Sequence, residues 1–526
     1  MKTRQKLEPS IPSLILAAPH GRSGKTTVTL GLLLALRARG LVVQPFKKGP
    51  DFIDPSWLSL AANRLCRNLD AYFMERGPLL QTMLRGSLGA DLAVIEGAMG
   101  LYDGLDLEGS GCTAEIAKLL AVPVVLVVDV TRMTRSVGAL VMGYQHFDPN
   151  VKIAGVILNR VARSRHENML RAAIEKYCGI PVLGAVPKEQ GLSIPDRHLG
   201  LVPAAERGEL DEVMQNLRAM GERYLDIDRL LQVARNQDAS PSPGPAVEVL
   251  ARPSQLDLWR QFFPEESGAG PGQAAREGEK GSDRRFSPGL APRRTLLSGV
   301  SHRVRIGVFL DRVFTFYYPD NLEALIEAGA ELVQINSLED KELPLIDALY
   351  IGGGFPEVFG AELEANQGLR RDLAQAVENY LPVYAECGGL MYLGRRILWQ
   401  GRERCMVGVL PFDTQIETKP QGHGYTQLEV TGANPFLSQG SFLRGHEFHN
   451  SRVVNLDGKS RLALAVHRGA GIDGQRDGIV YKNVLASYNH LHVAAAPEWA
   501  DRLVTAAANY RCLAQETEPV TLRAAR

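Results

Sequence analysis

The run "VPVVLVVDV" at residues 122–130 constrains this fold more than any other stretch. A strand with one wet face alternates apolar and polar residues. A run that is apolar throughout is covered on both faces, the condition of a central strand in a parallel sheet flanked by helices. "SLILAAP", "LVVQPF", "DLAVIEG", "VKIAGVILN" and "IPVLGAVP" repeat the pattern, separated by helical segments. The first part of the chain therefore reads as an α/β domain on a buried parallel sheet.

Between the first run and the next helix stands "GRSGKTT". Strand, glycine loop and helix in that order present backbone N–H groups at a helix N-terminus, where phosphates bind. Gly21 and Gly24 shape the loop, Lys25 can reach a terminal phosphate, and Thr26 and Thr27 open the helix. The Thr26 hydroxyl can also meet magnesium. Pro19 stands where the strict phosphate-loop pattern has glycine, so the loop is a variant. "PFKKGPDFIDP" follows the second run and puts Asp51 and Asp54 in a proline-bounded turn. "VIEGAMGLYDG" puts Glu96 and Asp103 beyond the next strand. Carboxylates at the carboxyl edge of a parallel sheet, near a phosphate loop, suit magnesium and a polar substrate.

A chain of 526 residues exceeds one hydrophobic core. The organisation reads as a domain over 1–235, a linker rich in Pro, Gly and Ser over 236–302, a second domain over 303–510 and a tail over 511–526. "QLDLWRQFF" is a small amphipathic island in the linker. The second domain opens with "VRIGVFLD", "AELVQIN", "DALYIGGG" and "LPVYAE", again α/β, and closes with an antiparallel pattern from "HGYTQLEV" to "NVLASYNHLHV". Lys plus Arg and Asp plus Glu are 59 each, which argues against a nucleic-acid partner. Six scattered cysteines without a CxxC pair fit a reducing cytoplasm. The sequence has neither a signal-peptide pattern nor a run approaching a membrane span.

"PVYAECGGLMYLG" places Cys387 at a break between strand and helix, the setting of a nucleophile elbow, where a helix N-terminus favours a thiolate. Gly353 and Gly354 of "GGGFPE", with Gly388, suit oxyanion donors. "ASYNHLHV" offers His490 and His492, which share a strand face, so spacing does not choose between them.

At these residues the chain resembles a known family. Cys387 in "AECGGLMYLG" with His490 in "SYNHLH" is similar to class I glutamine amidotransferase domains, of flavodoxin-like α/β fold. "SGKTTVTLGL", "QPFKKGPDFIDP", "RNLD", "IEGAMGLYDG" and "IPDRHLGLV" resemble the dethiobiotin-synthetase-like, phosphate-loop domain fused to it in cobyrinate a,c-diamide synthases. "FTFYYPDNLEAL", "GGGFPE" and "GHEFHNS" belong to the same pattern. The resemblance implies a two-domain ATP- and glutamine-dependent amidoligase that acts on a tetrapyrrole polycarboxylate, with magnesium. Cys387 would be the nucleophile and His490 its base. Gly21, Gly24, Lys25, Thr26 and Thr27 would bind ATP, and Thr26 and Glu96 the metal. Lys47, Asp51, Asp54 and Asp103 would lie on the substrate or metal side, and Gly354 and Gly388 would form the oxyanion site. A homodimer is allowed.

The chain has "KKGPDFIDPSWL" where the family text is nearer "KVGPDYIDPGFH", and "GHGYTQ" where the family often has "LGYR". Lys48 and His423 occupy these departures and are expected to tune which ring is accepted. A sirohydrochlorin-type ring is the alternative substrate. A partitioning-type ATPase switch is the alternative from another class, and it has no use for Cys387 and His490.

Overall fold

The computed structural model describes residues 11–188, 196–197, 200–201, 210–235 and 303–517. The expected linker 236–302, with "QLDLWRQFF", and most of "IPDRHLGLV" lie outside the described residues.

Seven strands form one parallel sheet: β1 (Ser13–Ala17), β2 (Val43–Lys48), β3 (Arg67–Leu69), β4 (Leu92–Glu96), β5 (Val124–Asp129), β6 (Ile153–Val161) and β7 (Val182–Pro187). Their order is β3-β2-β4-β1-β5-β6-β7. Six are the apolar runs named above. β3 is too short to carry a periodic signal, and it is polar at Arg67 and Asn68. Side chains alternate between two cores. Ile15 and Ala17 pack on one face, Leu14 and Leu16 on the other. β1 lies between β4 and β5, where the chain's winding reverses, so its carboxyl end is the crevice in which α/β sheets bind ligands. Helix α1 (Lys25–Ala38) starts there.

The second half is built on a ten-stranded sheet. Strands Ala330–Ile335, Val304–Phe309, Ala348–Ile351, Val383–Glu386 and Val484–Ser487 run parallel. The sheet continues antiparallel through Arg476–Tyr481, Arg461–Arg468, Gly422–Val430, Phe442–His449 and His490–Leu491. The antiparallel part is thus an extension of the same sheet, and it brings His490 back beside the parallel strands. The last helix, Trp499–Thr517, continues into the segment read as a tail beyond residue 510. Among the described residues no helix is long and apolar enough to cross a membrane.

The two halves are joined by a buried ion-pair network. Arg67, only 1% exposed, donates to both carboxylate oxygens of Glu323 and lies 3.2 Å from Asp320 Oδ1. Burial alone would raise the Asp320 carboxyl, but Arg67 outweighs it and holds the group below its ordinary range. Tyr425 donates to Asp70 at 2.7 Å, and Tyr72 to the Thr426 carbonyl at 3.0 Å. Arg67→Met would leave two buried carboxylates without their cation. It is expected to destabilise the joined state by about 3–5 kcal/mol, read as a lower urea midpoint. An unchanged midpoint would contradict the clamp.

Candidate active site

The loop after β1 turns at Gly24, whose φ of 87° is left-handed. A Cβ there would sit 2.1 Å from Asn159 Nδ2, so glycine is required by space as well as by conformation. Asn159, at the end of β6, donates to the Ser23 carbonyl at 2.8 Å and fixes the loop. Gly21 passes beside Met99, and the Pro19 carbonyl accepts from Tyr144 at 2.7 Å. That bond ties down the variant position. Lys25 Nζ donates to the Met99 carbonyl at 2.6 Å. Burial, and then the charge of Lys47, pull the Lys25 amine down to about 8. Thr27 sits with Thr26 in the first turn of α1.

Four charged groups meet at the ends of β2 and β4. Lys47 Nζ lies 2.5 Å from Asp54, 2.7 Å from Glu96 and 4.0 Å from Asp51. Burial opposes the Lys47 charge, yet Asp54 and Glu96 raise it well above its ordinary range. Asp51 and Asp54 occupy a helix start, not a free turn. The Asp51 Oδ1 atom accepts the N–H groups of Ile53 and Asp54, opening helix α2 (Ile53–Ala62). Burial, and then Asp54, push Asp51 up to about 7. Asp54 is held low despite burial, because Lys47 pairs with it. Glu96 Oε1 accepts from Thr26 at 2.9 Å, whereas Oε2 is buried without a hydrogen-bond partner. Asp103 stands apart from this cluster. It accepts the Gly100 N–H at 2.8 Å, shapes the loop after β4 and acts on Lys25 only through its charge.

At the other end, Cys387 adopts φ 47° and ψ −99° between strand Val383–Glu386 and helix Gly388–Leu393. That is a strained turn of the elbow kind. The expected thiolate is not favoured. Burial pushes the thiol well up, and the charges of Glu357, Glu386 and Glu447 add to the effect. A six-residue helix cannot offset that desolvation. Burial thus favours the neutral thiol at Cys387. A Cβ on Gly388 would come 2.8 Å from the Gly354 amide nitrogen, and one on Gly354 1.8 Å from the Val313 carbonyl. The two glycines are therefore packed against each other beside Cys387. Gly353 leaves room for the His490 ring, whose Cε1 a Cβ would meet at 2.4 Å.

One cavity of about 410 Å³ is lined by Asp51 and Asp54 from the first half and by Cys387 and His490 from the second; the phosphate-loop residues, Lys47 and Glu96 are not in its lining. Lys48 and His423 line it as well. Lys48 is a buried residue of β2, and His423 packs edge-on against Phe448. His492 does not line this cavity. It belongs to a neighbouring one with Asp320 and stacks at 6.1 Å on Phe73. The structure thus separates two histidines that strand spacing left equivalent. Residues not singled out from the sequence also lie here. Phe52 stacks on Phe316 at 5.2 Å and touches the His490 ring at 5.1 Å. His446 stacks on His490 at 4.8 Å. Glu447 lines the cavity. "GHEFHNS" contained His446 and Glu447, but no local pattern shows that a strand returns them to a distant loop. Gly24→Ala is expected to lower nucleotide affinity by tenfold or more, measured by calorimetry, with the fold retained. Unchanged affinity would remove the loop from the site.

Residues 14–202 match the CobQ/CobB/MinD/ParA nucleotide binding domain, and residues 305–498 match the CobB/CobQ-like glutamine amidotransferase domain. A protein of Magnetococcus marinus named cobyrinate a,c-diamide synthase is 45% identical over 93% of this chain and 96% of its own length. One of the same name from Archaeoglobus fulgidus is 41% identical over 94% and 97%. A hydrogenobyrinate a,c-diamide synthase of Streptomyces coelicolor is 42% identical over 94% and 97%. With identity of this extent along nearly the whole of both chains, this chain belongs to the cobyrinate a,c-diamide synthase family.

Proposed function

We propose that the protein amidates the a and c acetate carboxylates of a corrin ring, using ATP for activation and glutamine as the nitrogen source. The observation that carries this reading is the shared cavity, lined by Cys387 and His490 at one end and by Asp51 and Asp54 at the other. The corrin names of the relatives support this ring over a sirohydrochlorin-type one. The amidotransferase half supports an enzyme over a partitioning switch. The cavity volume of about 410 Å³ is at the low end of ligand pockets, about 300–1,000 Å³. An edge of the macrocycle carrying its acetate would enter, and not the whole disc.

In this reading the substrate carboxylate attacks the γ-phosphorus of ATP, giving an acyl phosphate and ADP. Lys25 and the N–H groups from Gly21 to Thr27 hold the phosphates, and positive charge at the γ-phosphate lowers the barrier. The buried Oε2 of Glu96, without a partner, and the adjoining Thr26 hydroxyl fit a magnesium ion. Among the described residues no cluster of three or more His, Cys, Asp or Glu forms a metal cage. Magnesium is commonly held by one or two carboxylates together with phosphates. When bound, the ion would neutralise phosphate charge.

The Cys387 thiol passes its proton to His490 as sulfur attacks the glutamine amide carbon. Gly354 and Gly388 N–H groups meet the oxyanion. The C–N bond breaks, the nitrogen takes the proton from His490 and leaves as ammonia, and water later cleaves the thioester. Ammonia crosses the cavity and attacks the acyl phosphate, releasing phosphate. Asp51, titrating near 7, suits the proton that ammonia loses on attack. Lys47, Asp54 and Asp103 would set the charge at this end. Lys48 and His423 would select the ring. Free thiol chemistry fits a cytoplasmic setting.

Incubation with ATP, magnesium, glutamine and each candidate ring, followed by mass measurement, tests the substrate. Corrin should gain two amides; amidation of a sirohydrochlorin-type ring alone would overturn the corrin assignment. Cys387→Ala is expected to abolish glutamine-dependent amidation and to spare amidation fed by high ammonium. Residual glutamine hydrolysis in that variant would mean the nucleophile is another residue. Nucleotide binding should raise the Lys25 amine from about 8, because phosphate favours its charged form. With its amine drawn down to about 8, Lys25 is only partly protonated at pH 8, so binding there should be accompanied by net proton uptake. Calorimetry in two buffers of different ionisation enthalpy reads this directly. The uptake should vanish in Lys25→Met; an equal uptake in that variant would contradict the assignment.

A further inference from the structure

A buried carboxylate stands directly before the nucleophile. Glu386, 1% exposed, ends the strand that leads into Cys387. Its Oε1 accepts the Leu491 N–H at 2.9 Å and its Oε2 accepts the Tyr350 hydroxyl at 2.9 Å. Both of these donors are neutral. The basic group that an ion pair places nearest is His490, whose Nδ1 lies 3.8 Å from Glu386 Oε2. That Nδ1 is buried and has no hydrogen-bond partner. A buried carboxylate beside an unsatisfied ring nitrogen is costly unless the two engage. Hydrogen bonds of this kind are often long before substrate binds, and a small rotation of the ring closes the gap. The backbone fixes the approach, since the Leu491 N–H that Glu386 accepts belongs to the residue next to His490.

We propose that Glu386 is the positioning carboxylate of His490. It holds the imidazole as the Nδ1–H tautomer, which leaves Nε2 free to accept a proton, and it balances the imidazolium that then forms. The inference rests on the glutamine-hydrolysing reading above. In the step concerned, the Cys387 Sγ–H proton moves to His490 Nε2 while the sulfur lone pair forms the S–C bond to glutamine. The C–N bond then breaks, and its nitrogen carries that proton away as ammonia. Positive charge appears on His490 between these events, and Glu386 is the carboxylate beside it. His446, stacked on the ring at 4.8 Å, cannot serve, because it is a histidine whose burial holds it neutral. His492 lies in the neighbouring cavity.

Glu386→Gln would keep the shape but present an N–H to His490 Nδ1, which favours the Nε2–H tautomer that cannot accept the thiol proton. The expected result is a fall in kcat for glutamine hydrolysis of about 10²–10⁴-fold. KM for glutamine should stay within about twofold, since the loss is confined to the transition state. Ammonium-fed amidation should be unchanged, which also certifies the fold. Glu386→Asp, which keeps the charge, should recover most of the rate. A wild-type kcat in Glu386→Gln would overturn the proposal while leaving the glutaminase reading intact. Hydrolysis by Cys387→Ala would sink that reading instead. A measurement on the wild-type chain makes the test independent of any variant's folding. In ¹⁵N-histidine-labelled protein, the His490 signals, identified by their loss in His490→Gln, should show a protonated Nδ1. A protonated Nε2 in the neutral ring would overturn the proposal.

Discussion

Arg67, buried between Asp320 and Glu323, is the interaction on which the rest of this molecule depends. Taking a guanidinium and two carboxylates out of water costs several kcal/mol per ion, and only good geometry offsets it. The geometry here is a two-pronged contact to Glu323 with Asp320 alongside. Such a network has little tolerance for sliding, so it fixes the register of two α/β halves that are far apart in sequence. Asn68, next along β3, donates to the carbonyls of Gly49 and Asp51, and Asp70 accepts from Tyr425. One short polar segment therefore holds the second half with one residue and the loop of Asp51 with the next. Phe52 is pressed in this way against Phe316 and His490, and residues of both halves line the cavity.

Within that frame the charges share a design. Burial shifts the titration of several of these groups. Lys25 is drawn down to about 8, Asp51 is pushed up to about 7, and the Cys387 thiol is driven higher still. Lys47 and Asp54 keep their charges, because they pair with each other. Groups whose titration burial has shifted toward neutral pH respond strongly to an arriving charge. A phosphate would recharge Lys25. A histidine able to take a proton is what the thiol needs.

Much of this was legible in the sequence, for reasons that can be named. Short runs of Val, Ile and Leu separated by helical segments read as buried strands, so six strands of the first sheet, β7 at its edge among them, and the loop after β1 follow. Cys387 stands out because an apolar run ends in a glycine turn, and its backbone conformation agrees with that. What was hidden depends on pairings distant along the chain. β3 has Leu69 as its one apolar residue, too little to announce it, yet Arg67 carries the clamp. Asp51 and Asp54 looked like a loop because Pro50 and Pro55 flank them, and Pro55 in fact lies in the first turn of α2, where proline is tolerated. The thiolate expectation failed because a short helix was weighed without the desolvation that only the packed structure reveals. Strand periodicity could not separate His490 from His492. Resemblance chose His490, and the structure places it in the shared cavity with Cys387.

The central claim is that the two halves form one reaction chamber, with nitrogen passing through the cavity between them. Labelled glutamine tests it. The protein would be given glutamine carrying ¹⁵N in its side-chain amide, with ATP, magnesium, the corrin substrate and an excess of unlabelled ammonium at neutral pH. Product mass would then report the source of each amide nitrogen. The account predicts that both new amides carry ¹⁵N despite the unlabelled pool. Dilution of the label in proportion to free ammonia in the medium would contradict it.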